Sequence, residues 1–262
     1  MGDSVFTTVL VERGRAFAWL RHLRRLEASS RALGLPEVEA EFATECAREA
    51  LASVDGERLR LRLVWGRADG GGGLLTAQVS SLSDVAGRGA RLVTSSVRRT
   101  SSGALGNHKT TAYADNLLAA AEARRAGGDE ALLLTDDGQV CEGAGSNVFI
   151  VVDGELLTPP LTAGCLPGIA RELVLEHTGA REAPVSATDV ERCSELFLTS
   201  STREVQAVEY WRGPTRGPTQ GPTQGGRGAA VRSWPESGPR TRAVQEAWRR
   251  IRGSDEEWYR LR

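Results

Sequence analysis

Lysine is almost missing from this chain. Of its 33 basic residues only Lys109 is a lysine, the rest being arginine, although lysine is ordinarily among the commonest residues. A drift toward GC-rich codons accounts for the replacement and leaves open why one position stayed lysine. Arginine stays protonated in proteins, whereas a lysine amine can lose its proton and form imines. Lys109 is therefore a candidate for amine chemistry.

Other absences narrow the function classes. The four cysteines, Cys46, Cys141, Cys165 and Cys193, form no CxxC pair, which argues against a disulfide framework or a structural zinc site. His22, His108 and His177 have no metal-ligand spacing, so no metal is expected. Acidic and basic residues nearly cancel, at a net charge of −1, and nothing suggests attraction to nucleic acid or an anionic membrane. The start, MGDSVFTTVLVERG, lacks the regions of a signal peptide, and no apolar run is long enough to span a membrane. The expectation is a soluble, cytoplasmic protein that acts on a small molecule.

What is present reads as a mixture of strands and helices. A β-branched run at 4–11 predicts a strand ending at a turn over Glu12–Gly14. Leu20, Leu23, Leu26 and Leu33 at helical spacing predict a helix over 18–33, stopped by Gly34 and Pro36. A second helix is expected over 37–53, then strands at 58–65 and near 76–81 around the glycine cluster 70–73. The polar stretch 82–89 reads as a linker between residues 1–81 and residues 90–262. Beyond it come a strand at 90–95, a Ser/Gly loop leading to Lys109, and a helix at 112–126. Strands at 130–135 and 146–152 are expected to flank the turn Asp136–Gly138, followed by a helix at 168–177 and strands at 195–199 and 204–209. This mixed order predicts an α+β fold rather than a doubly wound sheet. The tandem GPTR-GPTQ-GPTQ at 213–224 has no apolar residues to pack, so 213–240 reads as a mobile surface loop before a closing helix at 241–252.

Two phosphate motifs fail on inspection. In GALGNHKT (103–110), His108 occupies the place where a P-loop needs glycine before Lys-Thr. EGAGSN (142–147) lacks the third glycine of a dinucleotide fingerprint and leads into a strand rather than a helix. What remains is a lysine after a glycine-rich loop, a carboxylate at Glu142, and Gly168 opening a helix whose free N–H groups can bind an anion. TSST at 199–202 adds four hydroxyls, and Arg25 lies on the first helix. An imine-forming amine, a carboxylate to keep a pyridine nitrogen protonated, and several phosphate donors can together bind pyridoxal phosphate. Singly, each also reads as an ordinary loop or surface group.

Three strings in order, HKTTAYADNLLAAAEA, EALLLTDDGQVCEGAGSNVFIVVDGELLTPPLTAGCLPGIARELVLE and ELFLTSSTREVQAV, resemble the class IV aminotransferases, the fold type IV pyridoxal-phosphate enzymes; the similarity runs from about Gly2 to Val208. The resemblance implies a small N-terminal α/β domain, a larger C-terminal pseudo-barrel domain and a homodimer. It implies Lys109 as the Schiff-base lysine and proton carrier, and Glu142 as partner of the pyridine nitrogen. Arg25, in His22-Leu-Arg-Arg25-Leu, matches a phosphate-binding arginine. Ile169 and Ala170 would offer backbone N–H groups to the phosphate, Leu166 would pack on the ring, and Ser200 and Ser201 would bind phosphate. Tyr113 resembles a tyrosine near the cofactor. Relatives also carry a further strand before the Gly2-Asp3 turn, so either the start codon is mis-assigned or the small domain is trimmed at its start.

Within that family the sequence favours 4-amino-4-deoxychorismate lyase, which releases pyruvate and 4-aminobenzoate in the folate pathway. GDSVFTT resembles the lyase start and places Thr7 where many transaminases have glutamate. VWGRADGGGG resembles a lyase loop, with Arg67 at a carboxylate-binding position. Thr7 and Arg67 are thus the expected substrate contacts. Gly72 stands against this reading, because the lyase pattern has a second arginine there. The alternatives are an aminotransferase for branched-chain or D-amino acids, and a non-catalytic protein that keeps the fold.

Overall fold

The computed structural model describes residues 3–82, 88–100, 103, 105–214, 229–234 and 236–262. The chain opens with strands β1 (Val5–Glu12) and β2 (Arg15–Phe17), helices α1 (Trp19–Ala32) and α2 (Ala40–Ala52), and strands β3 (Arg58–Arg67) and β4 (Gly73–Ser81). Strand β5 (Ala90–Arg99), helix α3 (Ala114–Arg125), and strands β6 (Glu130–Thr135), β7 (Val140–Gly143), β8 (Asn147–Val152) and β9 (Glu155–Thr158) follow. Then come α4 (Ile169–His177), β10 (Arg181–Glu182), α5 (Ala187–Arg192), β11 (Glu195–Ser200) and β12 (Glu204–Arg212). The last elements are β13 (Val231–Ser233), α6 (Pro239–Gly253) and β14 (Trp258–Arg260).

These strands form two sheets. The first has the order β14-β2-β1-β3-β4; the second runs β10-β9-β8-β11-β12-β5-β6-β7, with β13 beside β12. Strand β5 pairs parallel to both β12 and β6, while most other neighbours are antiparallel, which makes the architecture α+β as expected. In β3 the sequence RLRLRL alternates Leu59, Leu61 and Leu63, all buried, with three arginines on the other face. The leucines pack with Trp19, Leu23, Leu26, Ala43, Ala47 and Leu51 of α1 and α2. Strands β6 and β8 are buried at every position, the pattern of strands covered on both faces.

A third core joins the sheets. Leu10, Phe17 and Ala18 from the first sheet pack with Phe149, Ile169, Leu173, Phe197 and Trp248 from β8, α4, β11 and α6. Burial of each large side chain there contributes about 2–3 kcal/mol. Arg21 of α1 adds a polar tie by bonding Glu176 at 2.8 Å, Glu257 at 2.8 Å, and Glu172. Helix α4 is thereby tied to α1 and to the segment leading into β14.

The structure departs from the sequence reading in several places. The turn at Asp136–Gly138 joins β6 to β7, a strand absent from the sequence reading, rather than β6 to β8. Short β2, β9, β10 and α5 are likewise absent from it. The stretch read as one loop, 213–240, contains β13 paired with β12, a buried Trp234, and the start of α6; residues 215–228 lie outside the described residues. So do residues 83–87 of the expected linker. Strand β14 pairs with β2, so a division of the chain at 82–89 leaves the C-terminal strand in the N-terminal sheet. Among the described residues no helix is long and apolar enough to cross a membrane.

Candidate active site

Lys109 is carried by the loop before α3, and the first sheet fixes that loop's backbone. The Phe6 N–H donates to the Lys109 carbonyl at 2.8 Å, the Thr111 N–H donates to the Ser4 carbonyl at 2.7 Å, and Val5 and Thr110 form an antiparallel bridge. The lysine Nζ lies 4.6 Å from the Phe6 ring centroid and 5.3 Å from that of Tyr113. Those two rings meet edge to face at 5.6 Å. Burial and the nearby Arg25, Arg62 and Arg99 lower the amine's pKa to about 7, with Glu142 pulling the other way. At neutral pH a substantial fraction of this amine is uncharged and nucleophilic.

Lys109 opens onto a cavity of about 280 Å³ between the two sheets. Arg25, Tyr113, Glu142, Leu166, Ile169, Ala170, Ser200 and Ser201 line the same cavity. These residues come from α1, α3's leading loop, β7, α4 and the β11–β12 turn. Far apart in sequence, they are gathered only because β7, β11 and α4 converge on β1.

Glu142 forms one wall. Its side chain is buried, accepting from Arg99 Nη2 at 2.6 Å and from the Leu166 N–H at 2.9 Å. Burial raises its pKa while Arg99 and the Leu166 N–H oppose that rise. Arg99 at the end of β5 is not singled out by the sequence, which offers no local signal for it.

The opposite end is electropositive and underpaired. Arg25 donates to the Pro167 carbonyl at 3.3 Å and to Thr7 Oγ1 at 3.1 Å, and its buried Nε has no partner. Among the described residues Arg25 has no ion pair, and burial pushes its pKa down to about 10. The buried Thr199 hydroxyl, also on the cavity, has no partner among the described residues either. Gly168 caps α4, and a Cβ there would meet Asn147 Oδ1 at 2.0 Å. Asn147 Nδ2 donates to the Leu166 carbonyl at 2.8 Å and so shapes this corner. An unpaired arginine, an orphaned hydroxyl and a helix N-terminus fit a phosphate group, and a buried carboxylate with a half-deprotonated lysine fits a pyridine aldehyde.

Two expected contacts do not reach the cavity. Thr7 sits on β1 between Phe6 and Thr8, which do line it; the strand's period of two turns Thr7 to the other face. There it is fully buried against His22 Nδ1 at 2.7 Å, and burial beside Arg25 and Lys109 keeps His22 neutral. Arg67 is exposed at the end of β3, donating to the Gly34 carbonyl at 2.8 Å. The arginine of β3 that does line the cavity is Arg62. Its guanidinium lies 4.0 Å from the Phe6 ring centroid and has no ion pair among the described residues. Burial lowers its pKa, with Arg60 adding to the effect.

Residues 4–211 match the family described as amino-transferase class IV. The chain belongs to the class IV aminotransferases. It is 32% identical over 225 residues, 79% of this chain and 78% of the relative, to a putative branched-chain-amino-acid aminotransferase of Methanocaldococcus jannaschii. Among solved structures it resembles a branched-chain aminotransferase from Thermoproteus uzoniensis, at 25% identity and a TM-score of 0.82, over 99% of this chain and 90% of that one. The fold is also shared with a T.th. branched-chain amino acid aminotransferase solved in complex with N-(5′-phosphopyridoxyl)-L-glutamate, at 22% identity and a TM-score of 0.82, over 99% of this chain and 89% of that one. The fold is therefore type IV, and the protein is a pyridoxal-phosphate enzyme.

Proposed function

We propose that this class IV member is an aminotransferase that exchanges an amino group between an aliphatic amino acid and a dicarboxylic 2-oxo acid. One observation carries the reading: Arg62, without an ion pair among the described residues, faces the same cavity as Lys109 amid the apolar Phe6, Tyr113 and Leu117. Apolar walls suit a branched aliphatic side chain, and the arginine suits the second carboxylate of glutamate or 2-oxoglutarate. Similarity to proteins named as branched-chain aminotransferases supports the same substrate class.

The roles follow from position. Pyridoxal phosphate, when bound, supplies a ring that takes up the electron pair left as the substrate's α-proton departs. Lys109 Nζ removes that proton and returns one, which requires an amine that titrates near neutrality. Glu142, buffered by Arg99, keeps the pyridine nitrogen protonated. Arg25, Ser200, Ser201 and the N–H groups of Ile169 and Ala170 hold the phosphate. Leu166 and Tyr113 confine the ring.

The lyase reading rests on Thr7 and Arg67, and neither lines the cavity. We infer as well that two copies pair, since Leu117 lines the cavity yet is 65% exposed and its neighbour Leu118 is 57% exposed; sedimentation would report a dimer.

The deciding experiment supplies the holoenzyme with leucine, isoleucine or valine and 2-oxoglutarate and measures glutamate, with the D-enantiomers in parallel. Aminodeoxychorismate is supplied separately and pyruvate is measured. Glutamate from the L-amino acids is the expected result. Pyruvate without glutamate would restore the lyase.

A further inference from the structure

The turn joining β11 to β12 carries the hydroxyls of Ser200, Ser201 and Thr202 into the cavity, and the two residues that follow point away from it. The Arg203 N–H donates to Ser200 Oγ at 3.1 Å, which leaves the Ser200 hydroxyl hydrogen free for a ligand. Neither Arg203 nor Glu204 lines this cavity.

Arg203 is drawn to one side. Its Nη1 donates to Glu130 Oε2 at 2.8 Å, and Glu130 is 3% exposed at the start of β6. Glu130 also accepts from the Ala131 N–H at 3.1 Å and from Ser146 Oγ at 3.3 Å. Ser146 belongs to the Gly143–Asn147 loop, so Glu130 connects the hydroxyl turn to the segment that carries Glu142 and Asn147.

Glu204 is drawn to the other side. Its Oε1 accepts from Arg58 Nη2 of β3 and Arg252 Nη1 of α6, each at 2.7 Å, and its Oε2 accepts from Trp248 Nε1 at 2.9 Å. Its backbone has φ +60, a left-handed conformation that side chains other than glycine avoid. Surroundings that hold a residue in such a conformation are over-determined, and here the holding groups come from the first sheet and the last helix.

We propose that the Arg203–Glu130 pair and the Glu204–Arg58–Arg252 cluster form a two-sided clamp that sets the hydroxyl turn for the cofactor's phosphate. Arg203, Glu130 and Glu204 are positioning residues: they touch neither phosphate nor substrate, and they act by fixing where the Ser200–Thr202 hydroxyls stand. The inference rests on reading this end of the cavity as the phosphate site.

The test compares two ligands on the cofactor-free protein, pyridoxal 5′-phosphate and pyridoxal, which lacks the phosphate. Binding is followed by absorbance and by quenching of tryptophan fluorescence, and each variant is also melted. Arg203→Met and Glu204→Gln are expected to weaken pyridoxal 5′-phosphate about tenfold, the equivalent of about 1.4 kcal/mol, with pyridoxal unchanged. Arg203→Lys, which keeps the charge, is expected to recover most of the loss. Equal weakening of both ligands would mean general structural damage and would overturn the clamp, as would undiminished binding of the phosphorylated ligand. Arg25→Gln and Ser201→Ala separate the two levels of inference. If they too spare pyridoxal 5′-phosphate, the phosphate end itself is misassigned and the clamp falls with it.

Discussion

At one end of the cavity Glu142 has both carboxylate oxygens engaged, by Arg99 and by the Leu166 N–H. At the other, among the described residues, Arg25 has no ion pair and Thr199 keeps a buried hydroxyl without a partner. Buried polar groups are ordinarily satisfied, so the contrast separates two kinds of preparation. The Glu142 carboxylate is satisfied within the protein, although the buried Nε of Arg99 beside it has no partner among the described residues. The Arg25 end is incomplete until an anion arrives. Lys109 lines the same cavity, its amine made less basic by burial and the arginines and more basic by Glu142.

The sharpest break of this contrast is Lys109→Ala. It removes the group that moves the proton and leaves both ends intact, so turnover is expected to fall by about 10³-fold or more. Pyridoxal 5′-phosphate should still be retained, because the phosphate contacts remain. Loss of turnover together with loss of all cofactor binding would mean that the two ends contribute little by themselves.

Glu142→Gln attacks the satisfied end. It removes the charge proposed to face the pyridine nitrogen, and it leaves Arg99 half-buried without its carboxylate. Turnover is expected to drop about 10²-fold and stability by about 3 kcal/mol, measured by steady-state kinetics and denaturant melts. A variant that loses activity but keeps full stability would show that the Arg99 pair contributes little to the fold.

Arg25→Gln attacks the incomplete end and is expected to separate the two differently. Cofactor affinity should fall about tenfold or more, while stability in the absence of cofactor is unchanged or improved. A buried cation without an acidic partner costs stability until its ligand binds, and its neutral replacement relieves that cost. Loss of stability without loss of affinity would make Arg25 a structural residue.

The remaining test is a pH slope. Folding lowers the Lys109 pKa to about 7, below the ordinary lysine value of about 10.4. Between those values the unfolded chain binds more protons than the folded one, so this group makes stability rise with pH across that window. Below about pH 7 its penalty is fully present. Replacing it by Lys109→Met should flatten the rise in cofactor-free protein, and equal slopes for the two proteins would contradict a depressed amine.

The helices and long strands are legible in the sequence because their periodicity is long enough to count. Leucines on α1 and the Leu/Arg alternation of β3 specify which face is buried, and the structure follows them. Elements of two to four residues, such as β2, β10 and β14, carry no period and form only because a neighbouring strand offers a ladder. The same limit governs the site. Lys109, Glu142 and the TSST hydroxyls stand in recognisable strings, and they do converge. Arg99 and Arg62 stand in runs of arginine where nothing local distinguishes the one that faces a cavity. Thr7 is misplaced by a single position in β1, enough in a strand to move a side chain to the opposite face, and Arg67 by its distance along β3 from the cavity.

That Lys109 is the only lysine makes the central assignment direct to test. The holoenzyme is treated with borohydride, which fixes an imine as a stable bond, then digested and mapped by mass spectrometry. The expected result is one pyridoxyl group, on the peptide that contains Lys109. A label confined to the N-terminal amine, or no label on a protein that still turns over substrate, would contradict it.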